Sequence, residues 1–152
     1  MKPTALTSVM TTAAAAAGSA GVRTESAWYQ QLEKPPWQPP PLAFPLVWTP
    51  LYASIAWSTG RALAATPRDQ RGPLWALTAG NLVVNAAWNW AFFAARSPAG
   101  GLVVITALNA LNVRLVREAG RRDRTAGKAL LPYAAWCGFA TALNASIWRR
   151  NR

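Results

Sequence analysis

The 152-residue sequence predicts an all-α fold, an integral membrane bundle of five transmembrane helices. Three observations predict it. Hydrophobic residues make up 52% of the chain and charged ones only 14%, where a soluble domain carries about a quarter charged. The apolar residues gather in five runs with short polar connectors between them. The arginines stand at the ends of those runs: Arg61, Arg68 and Arg71, then Arg114, Arg117, Arg121, Arg122 and Arg124, then Arg149, Arg150 and Arg152. Membrane helices carry cations at those places, level with the lipid headgroups.

One domain, 1–152, is expected, with helices at about 5–21, 44–65, 74–95, 99–116 and 129–148. A helix needs about 20 apolar residues to cross the hydrocarbon core. The second, third and fifth segments have that length. The fourth reads as short, because Arg114 must snorkel from its last turn. The first, ALTSVMTTAAAAAGSAG, is only weakly apolar. Lys2 before it and the small residues Ala17, Gly18, Ser19 and Ala20 near its end also describe a cleavable secretion signal. Pro45 falls in the first turn of the second helix, where its missing N–H is harmless, Pro50 should bend that helix near Trp48, and Pro132 begins the last. The connectors 66–73 and 117–128 are polar with Pro and Gly stops, and Ser97-Pro98 is a tight turn. Such short links place consecutive helices antiparallel.

The loop at about 24–43 is different. Its stretch WYQQLEKPPWQPPP holds five prolines and two tryptophans. Prolines fix φ and stiffen a loop at low ordering cost. The reading is a rigid aromatic lid. A proline-rich docking ligand is the alternative, but no repeated proline core or basic flank supports it.

The net charge of +11 raises a nucleic-acid reading, which the placement of the arginines at helix ends argues against. Five spans put Lys2 and the 66–73 and 117–128 connectors on one side with ten Lys/Arg, against six on the other. In an inner membrane that favours a cytoplasmic N-terminus; inner and outer membranes are not distinguished. There is no His and one Cys, Cys137, and the five acidic residues all lie in or beside connectors. No metal site, no cofactor and no catalytic acid–base pair is expected.

The chemistry then rests on helix faces. Trp48, Tyr52 and Ile55 share one. So do Asn81, Asn85, Trp88 and Phe92, with Asn89 extending the amide stripe, and Tyr133, Trp136, Ala140, Asn144 and Ile147. Amides at bilayer depth must find partners inside the bundle. They can simply bridge helices, at about 0.6 kcal/mol each. Trp57, Trp75, Trp90 and Trp148 suit the interfacial belt. Trp48, Asn85 and Trp136, away from the helix ends, read instead as lining a cavity in which a flat ligand stacks, with Asn85 or Tyr52 giving a directional hydrogen bond. Ala76 and Gly80 form a small-xxx-small pair on the third helix; a homodimer through that helix is expected, the alternative being packing within the monomer.

The order of these residues resembles the translocator protein family, also called tryptophan-rich sensory proteins. Trp28-Tyr29, Leu32, Lys34-Pro35, Trp37, Pro39-Pro40, Phe44-Pro45, Trp48 and Tyr52 carry the first part. Asn85, Trp88 and Phe92-Phe93 follow, then Pro132-Tyr133, Trp136, Phe139-Ala140, Leu143-Asn144 and Trp148, so that the likeness spans about 18–151. It implies five transmembrane helices, a retained first helix, a homodimer, and a pocket opening toward the first loop. It implies ligands of the porphyrin class, protoporphyrin IX or haem, and a role in tetrapyrrole sensing, regulation or transport. The residues so implied are Trp48, Tyr52, Asn85, Trp88, Trp136 and Ala140 in the pocket, and Trp28, Trp37, Pro39 and Pro40 in the lid. Light-dependent porphyrin breakdown through pocket tryptophans is the alternative, and a scaffold whose amides only join helices a third reading. Two departures stand out. Ala145 occupies the place where the family's cholesterol-associated pattern needs Tyr, so sterol binding is not expected, and the fourth helix carries Asn109, Asn112 and Arg114.

Overall fold

A computed structural model describes residues 2–152. The described chain is helical with no strand. Five long helices are α1 (Pro3–Ser19), α3 (Ala43–Ala64), α4 (Gly72–Asn89), α5 (Pro98–Arg122) and α7 (Leu131–Arg150). Two short ones, α2 (Ala27–Gln31) and α6 (Arg124–Ala129), sit in the connectors, and a 3-10 turn covers Arg68–Gln70.

Local chemistry explains the starts. Proline occupies the first turn of α1, α4, α5 and α7, where its missing N–H has no intrahelical partner to lose. Ser26, Ser97 and Asp123 cap α2, α5 and α6 by accepting the backbone N–H three residues on. α4 ends in a wide π turn over Trp90–Ala94, closed by Ala95 N–H to Trp90 O at 2.8 Å. Arg96 then takes a left-handed φ of 53° and stops the helix. The extra residue in that turn lets Phe92 and Phe93, neighbours in sequence, both face inward.

α5 departs from expectation. It is the longest helix, 25 residues, and runs through Arg114 to Arg122. The reason lies in its final turns, where Glu118 pairs with Arg121 at 2.8 Å and with Arg122 at 2.7 Å. Charges spaced three and four apart carry the helix past its apolar stretch. Most of the 117–128 connector is therefore helical.

α1 packs along α3 and α4. A Cβ on Gly60 would lie 2.5 Å from Thr4 Cα, so only glycine permits this approach. Thr7 Oγ1 donates to Ala56 O at 2.7 Å, and Trp90 Nε1 donates to Ala17 O at 2.9 Å. α5 packs on α4 and α7, and α6 bridges α3 and α5.

Polar side chains are buried among an apolar core, while large apolar side chains face outward. Thr7, Ser58, Thr59, Thr78, Asn81, Asn112 and Asn144 are almost wholly buried. Leu46, Val83 and Val103 are 74%, 66% and 72% exposed. That distribution suits an acyl-chain solvent. By length and composition alone, α5 is the one helix among the described residues apolar enough to cross a bilayer. In α4 and α7 the residues that lower the apolar average include Asn81, Asn85 and Asn144, which are buried against other helices.

Candidate functional site

A chain of hydrogen bonds joins four helices. The Tyr52 hydroxyl donates to Asn85 Oδ1 at 3.1 Å. Asn85 Nδ2 donates to Tyr133 Oη at 2.9 Å, and that hydroxyl donates to Asn81 Oδ1 at 2.9 Å. Asn81 Nδ2 completes the run to Asn112 Oδ1 at 2.7 Å. The path goes α3, α4, α7, α4, α5, with every donor pointing the same way. Helical spacing explains its two α4 members: Asn81 and Asn85 are one turn apart on one face.

Aromatic rings cover the Tyr52 end. Trp48 lies 5.2 Å from Tyr52 and 6.2 Å from Tyr133, ring centre to ring centre. Trp136, one turn from Tyr133 on α7, meets Phe44 at 6.1 Å and packs on Phe139 at 5.2 Å. Trp48, Tyr52, Trp136 and Ala140 are each half-buried. So the structure connects Trp48, Tyr52 and Asn85 with Tyr133, and Trp136 packs against the same core cluster. It does not bring Trp88 to them. Trp88 stacks on Phe92 at 5.2 Å and donates from Nε1 to Asn144 Oδ1 at 2.9 Å. Asn144 in turn donates to Pro98 O at 2.7 Å, so this second cluster ties α4, α5 and α7.

Asn85, expected to offer a ligand its amide, uses both amide atoms within the protein and is 4% exposed. Those two bonds join it to the hydroxyls of Tyr52 and Tyr133. Around the expected cavity, Phe44 lies 6.1 Å from Trp136 and Tyr133 lies 6.2 Å from Trp48. Cavities of about 540 and 250 Å³ lie elsewhere, one beside Trp37 and the C-terminal end of α7, the other between α5, α6 and the start of α7. Phe44 and Phe139 join Trp136 to the cluster around Phe92. Asn81 and Tyr133 belong to the connected group although neither is among the expected pocket residues. The signal for Tyr133 and Asn81 was available, since each shares a face with a residue that is.

The lid runs over the ends of α4 and α7. Trp28 meets Phe92 edge-on at 5.9 Å, and Trp37 meets Phe139 edge-on at 5.9 Å. Pro39 is half-buried and Pro40 exposed. Within the lid, Lys34 Nζ donates to Tyr29 O at 2.7 Å and sits 4.4 Å above the Tyr29 ring. Burial pushes the Tyr29 phenol up, and a hydrogen bond from Gln38 opposes the shift. The lid is clasped to the end of α7: Glu33 N–H donates to Asn151 Oδ1 and Asn151 Nδ2 donates to Glu33 O, both at 2.9 Å.

Comparison with known proteins identifies the family. The model of the TspO/MBR family matches residues 5–149. Protein CrtK of Rhodobacter capsulatus is 33% identical over 144 residues, 91% of this chain and 88% of that protein. The tryptophan-rich sensory protein of Cereibacter sphaeroides is 32% identical over 124 residues, 82% of this chain and 77% of its own. The translocator protein of Sus scrofa is 31% identical over 128 residues, 82% of this chain and 75% of its own. The chain therefore belongs to the TspO/MBR family, as a multi-pass membrane protein with a sensory or binding role.

Proposed function

We propose that this protein is a membrane receptor or carrier for porphyrin-type tetrapyrroles, protoporphyrin IX or haem, acting in their sensing, regulation or transport. The observation that carries the reading is the half-buried trio of Trp48, Tyr52 and Trp136 beneath a clasped aromatic lid. Flat rings stack on such faces with about 0.5–1.5 kcal/mol per aromatic pair beyond area burial. The hydrogen-bonded chain behind Tyr52 holds that face still. Trp37 and Phe139 stand at the α7 side of the trio, so entry from the loop end needs them to swing aside. Asn85 and Trp88 act in this reading as supports, Ala140 as the small residue one turn beyond Trp136, and Trp28, Pro39 and Pro40 as cover. Haem gains no histidine ligand, since the chain has none; a metal-free porphyrin binds by stacking alone, and for haem Tyr52, Tyr133, Tyr29 and Cys137 are the candidate iron ligands.

The chain is read as a homodimer through α4. Ala76 is exposed, and a Cβ on Gly80 would meet nothing within 4 Å, so that face is uncommitted in the monomer. Disulfide cross-linking of Ala76→Cys in membranes should trap dimers; a purely monomeric product rejects the interface.

Titration with protoporphyrin IX tests the ligand reading. Tryptophan emission should quench saturably, the effect falling at least several-fold in Trp136→Ala and persisting in Trp148→Ala. Non-saturating quenching in all three proteins would leave the bundle a scaffold. The alternative, light-dependent breakdown of the ring, has one observation in its favour: Trp48 touches two tyrosines, a short path for an electron hole. It requires loss of porphyrin absorbance under light that disappears in Trp48→Phe.

A further inference from the structure

The 540 Å³ cavity lies outside the aromatic cluster, and the reading above makes no use of it. Ala142, Ala145, Ser146, Arg149 and Arg150 line it. They fall at i, i+3, i+4, i+7 and i+8, one face of α7. Trp37 of the lid and Arg152 complete the wall. The lining is therefore graded along the helix axis. It is methyl groups farthest from the C-terminal end of α7, a hydroxyl next, and guanidinium groups at that end. An indole stands beside them, a side chain at home at the membrane–water boundary.

The three arginines have no carboxylate partner among the described residues, where ion pairs join Arg61 to Asp123 and Glu118 to Arg121 and Arg122. Arg150 Nε meets only Ser146 Oγ, at 3.4 Å, and Arg152 leans on the Trp148 ring at 5.6 Å. No acidic residue lines the cavity. Three unpaired guanidinium groups at one end of an amphipathic hollow select an anion with a tail. Planar N–H forks match phosphate oxygens, and a free anion would have no use for the alanine floor.

We propose that this cavity holds the phosphate headgroup of an anionic phospholipid, with Arg149, Arg150 and Arg152 on the phosphate and an acyl chain along Ala142 and Ala145. Asn151 stands between two of these arginines and clasps Glu33 of the lid, so an occupied site braces the clasp.

Native mass spectrometry of the detergent-solubilised protein supplies the test, with phosphatidylglycerol, phosphatidylcholine or inorganic phosphate added. Arg149→Gln/Arg150→Gln/Arg152→Gln should lose phosphatidylglycerol binding by roughly tenfold or more, since each basic residue near a lipid surface contributes about 1 kcal/mol. Arg68→Gln/Arg114→Gln/Arg117→Gln removes the same charge from exposed residues elsewhere and should stay within about twofold of the parent by that same reasoning. Ala142→Trp fills the floor without touching charge, and should weaken the lipid as well. Equal loss in both triple variants would make the effect general surface charge and overturn the site. Inorganic phosphate competing as well as the lipid, or Ala142→Trp binding lipid normally, would overturn the lipid as its occupant. All variants alter exposed residues, and unchanged melting temperatures show that they fold.

Discussion

Tyr133 is the residue on which most of the interior depends. Its hydroxyl accepts from Asn85 and donates to Asn81, and both amides are buried. Tyr133→Phe leaves an amide N–H of Asn85 and a carbonyl oxygen of Asn81 without these partners. A lone intramembrane hydrogen bond averages about 0.6 kcal/mol. Two stranded polar atoms move the expected loss to about 1–3 kcal/mol. Tyr52→Phe strands one buried acceptor, Asn85 Oδ1, rather than two polar atoms, and should cost about 0.5–1.5 kcal/mol, less than Tyr133→Phe. Thermal unfolding in one detergent compares the two; a Tyr133→Phe protein as stable as Tyr52→Phe would show that the chain does not act as a unit. The stripes Trp48–Tyr52 and Asn81–Asn85 were legible because helical spacing is enough to say which residues share a face. Spacing does not say how far one helix is shifted along another. That shift gives Asn85 to Tyr52 and Tyr133, and sends Trp88 to Phe92 and Asn144 instead.

Among the elements, the junction of α5 and α6 shows what the sequence hid. Residues 117–128 look like a loop by composition, yet Glu118 extends α5 and Asp123 starts α6. The Asp123 carboxylate accepts the Ala126 N–H at 2.9 Å and meets Arg61 Nε at 2.7 Å, so α3, α5 and α6 are tied at one point. The Ala126 N–H first, and then the Arg61 charge, hold this carboxyl below its ordinary value of 3.8. Hydrogen bonding from Arg122 likewise lowers Glu118. A depressed carboxylate stabilises the fold at neutral pH, and that contribution disappears as pH falls through the folded value. The melting temperature should thus hold steady from pH 7 to about 5 and drop below about pH 4. Asp123→Asn keeps an oxygen for the cap but loses the attraction to Arg61. It should melt lower than the parent at pH 7, and the gap should narrow in acid, with Glu118 accounting for the fall that remains. A constant gap between pH 7 and 3 would deny Asp123 this role. The short helices α2 and α6 escape any periodicity argument, being too brief to show a repeat; only their caps announce them.

At the scale of the whole molecule, the question is whether α1 belongs to the bundle or merely precedes it. Its sequence fits both a leader and a helix, because small residues serve cleavage sites and close packing equally. In the structure those small residues have partners. Gly18 lies against Ala86 and Asn89, Gly21 against the Trp90 ring, and Gly60 of α3 makes room for Thr4. The Trp90 indole N–H donates to Ala17 O at 2.9 Å, a link from α1 to the end of α4. α1 also leads directly into the lid, so its packing fixes where the lid begins. Gly60→Ala sets a methyl group against the Thr4 backbone and should destabilise by about 1–3 kcal/mol, the usual range for overpacking. Gly138→Ala, with open space around the added methyl, serves as the control and gains up to about 1 kcal/mol of helix propensity. Removal of residues 3–19 is the larger version of the same experiment. It uncovers Ala56, Gly60 and the α3–α4 groove together, and should yield a chain that aggregates on solubilisation and no longer shows saturable porphyrin quenching. A truncated protein that stays monodisperse, melts with the full chain and quenches normally would mean that α1 is a dispensable neighbour. Gly60→Ala melting with Gly138→Ala would say the same without any deletion.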